Sequence, residues 1–184
     1  MAEPIKPVRR IVTIDDARGA SHAIADGPSP DVRTDPARPG YASTRIWTTD
    51  ASPPRLERQF RDALLTPHML EPPPHGSVCR IVTIPPDDAW RRTLRASDVA
   101  AFFSAMGAPR ASTFSPSAPH PYMQKTRTLD LCLILEGEVT LVLDTEEVAL
   151  RAGDTVVQRG TNHAWSNRSD RPCRIAISSH DGAE

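Results

Sequence analysis

Hydrophobic residues recur at every second position through much of the chain, the period of a half-buried β-strand. RRIVTI (residues 9–14) is a β-branched run, and GASHAIADG after it alternates between turn-forming glycines, so two short strands are expected. GYASTRIWTTD (40–50) places Tyr41, Ser43, Arg45 and Trp47 on one side and Ala42, Thr44, Ile46 and Thr48 on the other, which predicts a third. SVCRIVTI, followed by two prolines, predicts a fourth. From Leu129 the runs LDLCLIL, VTLVLD, VALRAGD, TVVQRGTN, HAWSN and CRIAISS follow, separated by tight turns such as EGE, TEE and SDRP. Many short strands joined in this way predict an all-β sandwich or barrel.

Two segments carry helical spacing instead. Leu56, Phe60, Ala63 and Leu64 fall at i, i+4, i+7 and i+8 behind Ser52, Pro53 and Pro54, predicting a short amphipathic helix that ends near Pro67. Ser97 and Asp98 stand as caps ahead of Val99, Phe102, Phe103 and Met106, with Gly107 closing a second helix. RIVTI occurs at 10–14 and again at 80–84, but its flanks do not repeat, so it reflects shared strand composition rather than a duplicated barrel. The 19 prolines gather before residue 122 and make the first two thirds loop-rich. The expected organisation is N-terminal strands, loops and short helices over 1–118, packed on a core at 119–180 in one structural domain.

Bulk properties exclude several classes. A chain of 184 residues supports one core. Its 22 basic and 23 acidic residues leave no net field for a phosphate backbone, and the basic ones are scattered, so no nucleic-acid partner is expected. No apolar run is long enough to span a bilayer, and residues 1–10 lack the apolar centre of a secretion signal; a soluble cytoplasmic protein with no membrane partner is expected. Cys79, Cys132 and Cys173 are odd in number and widely spaced, so they read as buried thiols.

The stretch LEGEVTLVLDTEEVALRAGDTVVQRGTNHAWSN (135–167) resembles the core of a small single-domain cupin. Gly153, Gly160, His163 and Asn167 match the motif G-x5-P-x-G-x2-H-x3-N, with one residue fewer between the glycines and Gln158 at the proline. Of the motif G-x5-H-x-H-x3,4-E-x6-G, Gly137 matches and Asp130 stands seven residues before it, where the glutamate belongs; Gln124 and Thr126 occupy the histidine positions. MQKTRTLDL (123–131) is similar to a cupin branch reading Met-His-x-Thr-x-Thr-x-Asp-Tyr, with Gln124 for its histidine and Leu131 for its tyrosine, and ASTRIWTTD and CRIVTIP are similar to segments of that branch. The resemblance implies a double-stranded β-helix, the cupin or jelly-roll barrel, with extra N-terminal strands and two short helices. It also implies a divalent metal inside the barrel and a homodimer in which leader strands cover exposed sheet edges.

The residues themselves suggest other chemistry. A neutral amide and a hydroxyl beside one carboxylate and one imidazole make a weak site for a borderline cation. If Asp130 faces inward, so do Cys132 and Ile134; if His163 does, so do Trp165 and Asn167. His163 and Asp130 are the expected catalytic pair, since burial and mutual interaction shift such groups toward neutral pH. Gln124, Thr126, Cys132, Trp165, Asn167 and Trp47 are the expected substrate contacts. No metal or other cofactor is preferred; a divalent metal, if bound, would take His163, Asp130, Gln124 and His120, the last swinging in from between Pro119 and Pro121. His22, His68, His75 and His180 read as surface or linker residues. Plainer roles stand beside these: a core histidine at 163, an anchor for Arg127 or a turn at 130, core filling by Trp47 and Trp165. The expected function is a small-molecule enzyme of a metabolic or natural-product pathway, working by proton transfer in a dehydration, isomerisation, cyclisation or decarboxylation. A metal-dependent cupin dioxygenase or lyase and a noncatalytic small-ligand-binding barrel are the competing functions.

Overall fold

The computed structural model describes residues 5–57 and 59–182. Strands β1 (Arg9–Asp15) and β2 (Ser21–Pro28) form an antiparallel hairpin of their own. A six-stranded sheet follows the order β3, β4, β5, β11, β6, β9, built from Val32–Thr34, Ala42–Thr49, Ser77–Ile84, Cys173–Asp181, Thr128–Glu136 and Thr155–Arg159. A three-stranded sheet runs β10, β7, β8, from Ala164–Ser166, Glu138–Val142 and Glu147–Arg151. Every pairing is antiparallel. All the strands expected from alternation are present, and the fold is an all-β cupin-type barrel. β3 was not anticipated, because its three residues are all exposed and carry no alternating signal.

The alternation sets what points inward. Val78, Arg80, Val82 and Ile84 are the buried positions of β5; Thr128, Asp130, Cys132 and Ile134 are those of β6. Ile175 and Cys173 of β11 and Val139, Leu141, Leu150 and Trp165 of the smaller sheet complete the apolar centre. Because β5 pairs along β11, and β4 along β5, the N-terminal strands supply part of the barrel's inner wall. Gly137 makes the tight turn into β7 at φ 76°; a Cβ there would lie 2.8 Å from the Pro172 carbonyl oxygen.

Helix α1 (Ala96–Ala105) buries Val99, Phe102 and Phe103 against this centre. Its N-cap is Arg95, whose backbone N–H donates to the Asp98 carboxylate at 2.9 Å. Asp98 therefore acts from the third helical position, as in a capping box, rather than as the cap itself.

The helix expected over Leu56–Leu64 is replaced by a single 3-10 turn at Ala63–Leu65. Leu56 is 94% exposed and Phe60 is exposed as well, so the first half of the apolar stripe has no surface to pack on, and a helix this short does not hold without one. The carbonyls a helix would use internally are taken elsewhere: buried Arg45 collects those of Leu64, Thr66 and Pro67. Arg45 also meets Asp31 at 2.6 Å. His68, read as a surface residue, is buried here, its Nδ1 3.1 Å from Asp31.

Candidate functional site

Within the barrel, a cavity of about 60 Å³ is lined by Gln124, Thr126, Asp130, Cys132, His163 and Trp165, together with Arg38, Tyr41, Arg80, Tyr122 and Ser179. A space of this size accommodates several water molecules. The side chains of His163 and Gln124 lie together because their backbones do: each N–H donates to the other's carbonyl, at 2.9 and 2.8 Å. Gly160, at φ 65°, turns the chain from β9 toward this bridge, and the Thr161 hydroxyl donates to Gln158 Oε1. That turn presents the Thr161 carbonyl to the imidazole.

The imidazole tautomer follows. His163 Nδ1 lies 2.9 Å from the Thr161 carbonyl oxygen, which can only accept, so Nδ1 carries the proton and Nε2 is bare. The Gln124 carboxamide nitrogen donates to Nε2 at 3.3 Å, a long bond that a better donor can displace. Burial lowers the His163 pKa; the Thr161 contact and the Asp130 charge offset part of that. The residue is a neutral base at pH 7.

Asp130 is 8% exposed, and its Oδ1 has no hydrogen-bond partner among the described residues. Arg80 is 3% exposed; its Nη2 donates to the Leu70 carbonyl and, at 3.2 Å, to Ser179 Oγ, while Nε and Nη1 find no acceptor among the described residues. No carboxylate lies within 4.0 Å of Arg80 among the described residues, although burial lowers its pKa and the Asp130 charge partly restores it. Arg38, by contrast, is neutralised by Asp35 at 2.7 Å and lies over the Tyr122 ring. Burial, and secondly Asp130, push the Cys132 thiol up to about 12, so it is a wall residue and no nucleophile.

A divalent metal does not fit these residues. Only His163 and Asp130 are strong donors, His163 Nε2 already faces an amide N–H, and Arg80 adds a fixed positive charge to the same cavity. Among the described residues no group of three or more His, Cys, Asp or Glu converges as a ligand set.

Three expected site residues lie elsewhere. His120 is fully buried but outside the cavity; the Tyr122 N–H donates to its Nδ1, and its Nε2 stands 3.5 Å from Asp87. Asn167 lies just past the end of β10, where strand alternation no longer applies, and its side-chain amide donates to the Ile84 and Arg171 carbonyls. Trp47 follows a bulge between Arg45 and Trp47 that pairs it with Cys79 on the outer face of β5, under the Arg10 guanidinium. Arg80 escaped sequence reasoning. Its signal was an arginine in phase with Val78, Val82 and Ile84, a charged residue on an otherwise apolar strand face.

Comparison with known proteins bears on this segment. Residues 112–179 match the family model described as the cupin domain. Phomopsin biosynthesis cluster protein C' of Diaporthe leptostromiformis is 52% identical over 48 residues, 26% of this chain and 25% of that protein. Oryzines biosynthesis cluster protein J of Aspergillus oryzae is 44% identical over 50 residues, 27% and 28% of the two chains. The cupin-domain-containing oxidoreductase virC of Hypocrea virens is 39% identical over 59 residues, 32% and 30%. The matched stretch spans no more than about a third of these relatives' lengths. No described helix is long and apolar enough to cross a membrane.

Proposed function

Residues 112–179 form a cupin-type domain, and from that premise we propose that this chain is a small-molecule enzyme of a biosynthetic pathway that transfers protons inside its barrel without a resident metal. The names of the relatives, two of them biosynthesis cluster proteins, support the pathway class. The observation that carries the chemistry is the fixed tautomer of His163: Nδ1–H held by the Thr161 carbonyl and a bare Nε2 in the cavity.

In this reading His163 Nε2 removes a proton from a substrate C–H or O–H group, and the Thr161 carbonyl keeps the ring oriented while it does so. The imidazolium that forms is stabilised by the Asp130 carboxylate across the cavity, an attraction that burial of both groups strengthens. The same Nε2 then returns the proton to a different atom of the substrate, which gives isomerisation, or to a leaving hydroxyl, which gives dehydration. Gln124 releases Nε2 to the substrate and can donate its N–H to a substrate oxygen instead.

Hydrogen exchange tests this with simple model compounds in place of the natural substrate. Small enolisable acids, ketones and lactones are incubated with the protein in deuterated water, and deuterium uptake is followed by mass spectrometry. Catalysed uptake in at least one compound, lost in His163→Ala and Asp130→Asn and indifferent to a chelator, is the expected result. Uptake that survives both substitutions, or that vanishes with the chelator and returns with a divalent metal, would overturn the mechanism.

A further inference from the structure

We propose that the cavity recognises a small carboxylate, with Arg80 as the residue that binds it; this deepens the proton-transfer reading and takes its site from it. Arg80 sits on β5, one strand from β11 and two from Asp130 on β6, with its side chain in the cavity wall. A guanidinium has five donors and never sheds its charge under ordinary conditions. Among the described residues only Nη2 is engaged, and only by uncharged acceptors, the Leu70 carbonyl and Ser179 Oγ. Nε and Nη1 are buried and without acceptors among the described residues, so the buried positive charge has neither a carboxylate nor a full set of hydrogen bonds to offset its desolvation.

The molecule's buried Arg10, Arg38 and Arg45 each have a carboxylate to balance the charge, although each also keeps one nitrogen without a hydrogen-bond partner among the described residues. Arg38 has Asp35, Arg45 has Asp31 and three carbonyls, and Arg10 meets both carboxylate oxygens of Asp62 at 2.8 and 3.0 Å. Arg80 alone of these four lacks a carboxylate within 4.0 Å among the described residues, and it alone borders the cavity beside the catalytic pair without one. A carboxylate in the cavity accepts a charge-assisted hydrogen bond from the guanidinium that a neutral amide oxygen does not match. Arg80 and His163 line the same cavity, so an acid held by one shares that space with the other. Asp130, of like charge to the ligand, tunes the affinity downward and keeps product from being retained.

Calorimetry on the wild-type protein with acetate, pyruvate and benzoate, each against its neutral amide, tests the recognition by changing the ligand alone. At least one acid is expected to bind about tenfold or more tightly than its amide. Arg80→Met abolishes that preference, Arg80→Lys restores part of it, and Asp130→Asn strengthens binding of the acid; near-ultraviolet circular dichroism confirms that each variant keeps the wild-type fold. His163→Ala is expected to bind the acid still while losing deuterium exchange, so the binding site and the mechanism fail separately. Equal affinity for acids and amides, absence of binding by every acid at millimolar concentration, or a preference that Arg80→Met leaves intact overturns the assignment.

Discussion

Two of the histidine and aspartate pairs among the described residues, His120 with Asp87 and His163 with Asp130, are built to opposite ends. At His120 and Asp87 the carboxylate is engaged from several sides: the Ser166 hydroxyl donates to it at 2.6 Å, the Asn167 N–H reaches it at 3.3 Å and His120 Nε2 stands 3.5 Å away, while Tyr122 N–H points at Nδ1 and the imidazole packs edge-on against Trp90. At His163 and Asp130 the ring is aimed by one carbonyl, and the rest is left open: Nε2 takes one long bond, and Asp130 Oδ1 none among the described residues. The tautomers are opposite too, Nε2–H toward an acid at 120 and a bare Nε2 toward a cavity at 163. Burial is similar, so burial does not separate structure from chemistry here. What separates them is whether the carboxylate is already engaged.

The sharpest way to break that contrast is to delete each ring. His163→Ala is expected to lower proton-exchange turnover by about 10² to 10⁴-fold and to change the melting temperature little. His120→Ala reverses the pattern, destabilising by about 2 to 3 kcal/mol through the orphaned Asp87 and the void beside Trp90, with exchange per folded molecule nearly unchanged. Chemical denaturation and the deuterium assay, run on both variants, measure the two effects separately. If His120→Ala lost exchange as steeply as His163→Ala, the division of labour would be wrong.

The acids give a smaller version. Burial alone would raise the Asp87 pKa, but hydrogen bonds from His120 and Ser166 outweigh it and hold the carboxyl below its usual range. Asp87→Asn turns an NH₂ toward groups that donate, for an expected cost of about 2 kcal/mol in urea unfolding. Asp130→Asn breaks no hydrogen bond at Oδ1 and should stay within about 1 kcal/mol of wild type. A larger loss at 130 than at 87 would mean that Asp130 is structural.

The same contrast explains what could be read from the chain. Period-2 alternation found the strands because most of their inward positions are apolar, and the resemblance of Gly153, Gly160 and His163 to a cupin motif implied an imidazole in the barrel. Alternation then failed where the backbone left the pleat: Asn167 stands past the end of β10, and the bulge before Trp47 turned that ring outward. The segment at 56–64 has a helical stripe and nothing to bury it against. His120 was read as a ligand that swings in from between two prolines, since its partner Asp87 is 33 residues away and no local pattern links them. Arg80 was hidden inside RIVTI, a segment whose copy at 10–14 belongs to the separate β1–β2 hairpin. A buried charge shows in the sequence only once the inward face of its strand is fixed.

The smallest expected effect asks whether both histidines obey one thermodynamic rule despite their different roles. Burial, outweighing the nearby acids, lowers the pKa of His120 and His163, and of His68 beside Asp31, from an ordinary value of 6.5. The unfolded chain therefore binds protons that the folded chain declines, and stability, complete above about pH 6.5, falls as pH drops below it. Asp87 adds loss of the same sign, but only lower, below the usual carboxylate range. Melting temperature is expected to be flat from about pH 8 to 7 and to decline toward about pH 5.5. His120→Gln and His163→Gln should each flatten the decline, because a group that cannot titrate cannot contribute to it. If only His120→Gln did so, His163 would be reached by solvent in the folded state and the cavity would be open enough to hydrate its cation. That would weaken the low-dielectric environment on which Asp130 depends to stabilise the imidazolium, while leaving the tautomer argument at Thr161 untouched.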